Sequence, residues 1–97
     1  MELTVLVGIS QFELFIPESS SLKSKRFVLK SLKTKLKNRF NISVSEVGET
    51  DKWQKAVLGI ATVANEKRFI NEILSKVYNF IESDLRVQII DYHVDIL

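Results

Sequence analysis

At 97 residues, with 45% apolar and 27% charged side chains, the chain has the size and composition of one small globular domain, residues 1–97. It contains no cysteine, which excludes disulfides, zinc–thiolate sites and thiol catalysis. The net charge of +2 conceals a segregation: between Leu22 and Arg39 lie eight basic residues and no acid, leaving six basic against twelve acidic side chains elsewhere.

The chain opens with Glu2 to Ile16, an alternating run rich in Val, Leu, Ile and Phe. It predicts a long first strand, bulged near Ser10-Gln11. Pro17 to Ser21 forms a turn, and Ser20 or Ser21 is placed to cap a helix by accepting a bond from a free backbone N–H. In that helix Val28, Leu29, Leu32 and Leu36 recur at helical spacing and form an apolar stripe. Asn41 then opens a second strand through Ile42 to Val47. Gly48 to Lys52 is a polar connection, and Trp53 to Ala64 is a nearly continuous apolar third strand. Asn65 is the expected cap of a second helix buried through Phe69, Ile70, Ile73, Leu74, Val77 and Ile81. Arg86 to Leu97 closes the chain as a last strand.

The order β-α-β-β-α-β is that of the ferredoxin-like, split β-α-β plan, an α+β fold with both helices on one face of a four-stranded antiparallel sheet. The other face is then uncovered. Both faces of the first and third strands carry apolar residues, Val5 and Val7 against Leu6, and Val57 and Val63 against Leu58 and Ile60. A half-solvated sheet alternates more cleanly, so self-association into a dimer or larger homo-oligomer is expected.

The basic helix carries the main functional signal. Lys23, Arg26, Lys30, Lys33 and Lys37 fall within an arc of about 80°, a single row that flanks the apolar stripe and is expected to face solvent. Lys23, Lys25 and Arg26 crowd the first turn, where the helix dipole favours acids instead. Cations beside free N–H groups make an anion site, and phosphate is the fitting anion. Lys23, Lys25, Arg26, Lys30, Lys33 and Lys37 are therefore the candidate nucleic-acid or anion-binding residues. The competing reading pairs them with acids on neighbouring elements or on another subunit. Of the aromatics, only Phe27 lies on the outer side of this helix, so contact is expected with phosphates and duplex shape rather than with bases.

Four other groups carry weaker signals. Asp91, His93 and Asp95 alternate on the last strand and share a sheet face; they read as the polar face of an edge strand rather than as metal ligands. Trp53 fits the core edge, a subunit contact or a ligand stack, and with Asp51 it is an interface candidate. Glu46, Glu49 and Asp51 read as a solvated turn; the alternative is that they meet the basic helix of a neighbouring molecule. The turn at Ile16 to Ser21 lacks the glycine-rich phosphate cradle and arginine of small acyl phosphatases, and no Ser has a His base nearby. No enzyme activity and no cofactor are expected.

The segments Ser21-Leu22-Lys23-Ser24-Lys25-Arg26, Phe40 to Val47, and Asp51-Lys52-Trp53-Gln54-Lys55-Ala56 resemble the YlxP-like bacterial family, domain of unknown function 503. The likeness takes in Ile16-Pro17 and Gly59 to Asn65 and runs essentially the whole chain. Its departure is the turn Glu18-Ser19-Ser20, where a shorter or glycine-containing segment is the family pattern. The resemblance implies a ferredoxin-like fold and genes that sit beside translation and ribosome-maturation genes. It brings no catalytic residues. Neither a signal segment nor a membrane-spanning apolar run is present, so a cytoplasmic protein without membrane association is expected. The leading expectation is a non-enzymatic RNA- or ribosome-associated module; the alternative is a homo-oligomeric module whose basic helix contacts acidic protein.

Overall fold

A computed structural model describes all 97 residues. Its elements are β1 (Leu6–Phe15), α1 (Leu22–Arg39), β2 (Ser43–Gly48), β3 (Lys55–Ala64), α2 (Lys67–Ser83) and β4 (Gln88–Ile96). The strands pair antiparallel in the order β2-β3-β1-β4. This is the ferredoxin-like α+β arrangement that the element order implied.

Alternation decides which side chains face the helices. Phe12, Leu14 and Ile16 from β1 and its end, and Ala56, Leu58 and Ile60 from β3, point to one side and are buried. Leu29, Leu32 and Leu36 of α1 and Ile70, Leu74, Val77 and Ile81 of α2 meet them there. At about 25 cal/mol per Å² of apolar surface removed from water, this single core is the main source of stability. Phe12, Tyr78 and Tyr92 pack ring against ring at its β4 side, with centroids 4.7 to 6.0 Å apart. Burial holds the Tyr92 hydroxyl above the usual phenol range, reinforced by Tyr78. α2 sits directly on β1 at Gly8, where an added Cβ would run into Ile70.

Several boundaries differ from the sequence expectation. β1 begins at Leu6 rather than Glu2, because its partner β3 ends at Ala64, opposite Leu6. The irregularity is not at Ser10-Gln11. It lies between Glu13 and Leu14, which pair with Asp91 and Ile89, so the extra residue is Ile90 on β4. β3 starts at Lys55, leaving Trp53 in the connection. The N-cap of α2 is Glu66, not Asn65, and its side chain makes no cap bond. Phe69, expected in the core, is 38% exposed, with the Arg68 guanidinium 4.7 Å above its ring.

Candidate functional site

α1 has two unlike faces. Lys25, Leu29, Leu32 and Leu36 are its buried residues, at spacings of four, three and four. Lys25 thus lies on the apolar stripe, and its side chain is only 1% exposed. Its Nζ donates to the carbonyls of Glu49 at 2.9 Å and Lys55 at 3.1 Å. Glu46 Oε2 lies 3.0 Å away. That oxygen has no aligned hydrogen bond, so charge alone holds the pair.

This corrects two expectations. Lys25 is not an anion-binding residue, because it is out of solvent and its donors are engaged. Glu46 meets the basic helix of its own chain, not of a neighbour. An isolated ammonium in the core would be costly, and the three oxygens make its burial tolerable. Lys25 also braces the β2–β3 connection. Glu49 has φ 58°, the chain's sole non-glycine residue at positive φ, and its carbonyl accepts from both Lys25 Nζ and Lys52 N–H.

The first turn of α1 is capped by its own serines. Ser21 is the N-cap. Its Oγ accepts from Ser24 N–H at 3.0 Å, and Ser24 Oγ accepts in return from Ser21 N–H at 3.2 Å. Ser24 here stands where a capping box ordinarily has Glu or Gln. Ser19, only 4% exposed, locks the turn through Ser24 Oγ at 2.9 Å.

The outer face of α1 is different. Lys23, Arg26, Lys30 and Lys37 are exposed and Lys33 is half-buried. None of these five forms an ion pair, and neither does Lys35 or Arg39. Arg39 instead covers the Phe80 ring at 5.2 Å. Phe27 stands among the cations, 73% exposed. The middle of α1 is tied by Arg86, whose Nη2 donates to Ser31 Oγ at 3.2 Å and to Asp84 Oδ2 at 2.7 Å. The Arg86 hydrogen bond holds the Asp84 carboxyl below the usual range.

The chain belongs to the family described as protein of unknown function DUF503. The family model matches residues 7–94. Uncharacterized protein YlxP of Bacillus subtilis (strain 168) is 40% identical over 78 residues, covering 80% of this chain and 85% of that protein. The de novo designed protein Foldit4 has a similar fold, with TM-score 0.55 and 12% identity over 95% of this chain and 96% of that one. So does a C-terminal segment of the alpha subunit of aIF2 from Pyrococcus abyssi, at TM-score 0.51 and 13% identity. All of this chain but only 52% of that one is covered there. Both structural likenesses concern the fold alone.

Trp53 is 58% exposed and absent from the core, which removes its core-edge reading. Asp51 is exposed in the same connection. On the uncovered sheet face, cross-strand pairing brings together Glu13 with Asp91, Gln11 with His93 and Ile9 with Asp95. His93 Nε2 is 3.1 Å from Asp91 Oδ2. A bond from Tyr92 N–H, then His93, keeps Asp91 below the usual carboxylate range. Asp95 turns to its neighbour's Ile96 N–H at 2.8 Å instead of toward His93. These Asp-to-backbone bonds occupy N–H groups of a β4 strand that is otherwise a free edge. A half-open trough of about 600 Å³ crosses the same face over Gly59 and Ala61. No helix is long and apolar enough to cross a membrane.

Proposed function

We propose that this protein is a non-enzymatic, cytoplasmic polyanion-binding module that engages structured RNA, on or off the ribosome, through the outer face of α1. The supporting observation is the row Lys23, Arg26, Lys30, Lys33 and Lys37, five cations with no carboxylate partner. A helix surface ordinarily mixes signs, since like charges at three- and four-residue spacing repel. An unpaired row on a rigid, capped helix offers its charge to a ligand. Phosphate contacts of this kind position RNA without reading its bases. Each neutralised phosphate releases counterions, so affinity should fall with salt at a log–log slope of roughly −3 to −4.5 for three to five duplex contacts. Replacing Lys23, Arg26 and Lys30 with Gln should flatten the slope by about 2 to 3 units. Binding that is flat in salt, or unchanged in the triple variant, would sink this reading.

The uncovered sheet face favours a second reading, a homo-oligomer. Val47 and Val63 are 56% and 53% exposed there, and Ile9 on the adjoining β1 is 37% exposed. Glu13, Asp91 and Asp95 on that face would give a neighbour's basic helix an acidic surface to meet. Sedimentation of a single-chain species at tens of micromolar would remove it.

A further inference from the structure

We infer that Trp53 is a stacking platform for an unpaired nucleobase, held in a groove at the first turn of α1. The inference rests on the RNA-binding reading and adds the part of the ligand that the cationic row does not touch. A groove of about 620 Å³ runs between the β1–α1 turn and the β2–β3 connection. Phe15, Pro17 and Trp53 line it, together with Lys52, Lys55 and Glu18. Ser19 and Ser20 also line it and lead directly into α1, where Lys23 and Arg26 are exposed. A strand whose phosphates follow α1 therefore has a neighbouring place for a base.

Three features fit a base there. Trp53 presents much of its ring to solvent, although it is the largest side-chain type and the chain's single tryptophan. Its connection is braced on both sides. Lys25 holds Glu49 and Lys55 by their carbonyls. Gln54 accepts from Ile16 N–H at 2.8 Å, and its Nε2 donates to the Pro17 carbonyl at 3.1 Å. The indole is therefore displayed on a fixed frame, which lowers the ordering cost of stacking. Finally, Lys52 and Lys55 form no ion pair, while the one acid lining the groove is Glu18. Aromatic platforms beside cations are how sequence-tolerant single-strand sites are built.

The test uses the whole chain, short single-stranded oligouridylate, and an abasic ribose-phosphate chain of equal length. Trp53 is the chain's only tryptophan, so its fluorescence reports the site directly. Oligouridylate should quench it and the abasic chain should not. Trp53→Ala should weaken oligouridylate roughly 5- to 100-fold and leave abasic binding unchanged. Trp53→Phe should restore most of the loss. Equal binding of both probes, with no base-dependent quenching, would overturn the stacking site while leaving the cationic row intact. Binding of neither probe would overturn the stacking site, and failure to bind duplex RNA as well would overturn the row reading too. A Trp53→Ala change that instead splits an oligomer would make Trp53 a subunit anchor and overturn the site.

Discussion

Two lysines two positions apart on one helix have opposite fates. Lys23 points to solvent without an acid, and Lys25 is enclosed by three oxygens from two other segments. The two residues have the same chemistry and the same helix-forming tendency, so the difference comes from helical phase. Position 25 falls in line with Leu29, Leu32 and Leu36; position 23 does not. One charge is spent inside the fold, holding α1 to β2 and to the start of β3. The other is left for a partner.

Removing the buried charge should have the larger effect. Lys25→Met keeps the apolar stem but strands Glu46 and two carbonyls, and should cost about 3 kcal/mol. Urea denaturation measures the loss, and hydrogen exchange at Lys52 N–H should speed up as the connection loosens. An unchanged midpoint would mean that Lys25 is not the brace described here.

The serine lock should come next. Ser21→Ala deletes the cap on Ser24 N–H and should cost about 1 kcal/mol. A variant as stable as the parent would show that Ser19 and Ser24 hold the turn without the cap.

The smallest effect has the opposite sign. Converting Lys23, Arg26 and Lys30 to Gln should raise stability by a few tenths of a kcal/mol, because repulsion at three- and four-residue spacing is relieved. A loss of stability comparable with that of Lys25→Met would mean that the outer row is paired as well, erasing the contrast between the two lysines.

The periodicity of the sequence was enough for the element order, the helix-covered core and the position of the cationic row. These follow from local rules: side chains repeat every two residues in a strand and about every 3.6 in a helix. Lys25 was legible in principle, since its spacing from Leu29 and Leu32 is that of the apolar stripe. A lysine is nevertheless read as surface unless its partners are known, and Glu46 and the carbonyls of Glu49 and Lys55 lie 21 to 30 residues away. The same limit applies at Trp53. Its apolar character extends β3 in the sequence, but the last backbone bond between the two segments, Ile16 N–H to the Gln54 carbonyl, stops one residue short of it.

The sequence alone therefore determined the segregation of charge and the faces of each element, because both depend on residue type and spacing. Only the tertiary structure decided which of the eight cations is consumed, that Ser19 joins Ser21 and Ser24 in capping α1, and that Trp53 overlooks a groove. Each of those outcomes depends on atoms from separate segments being brought within bonding distance, and spacing along one element carries no record of that.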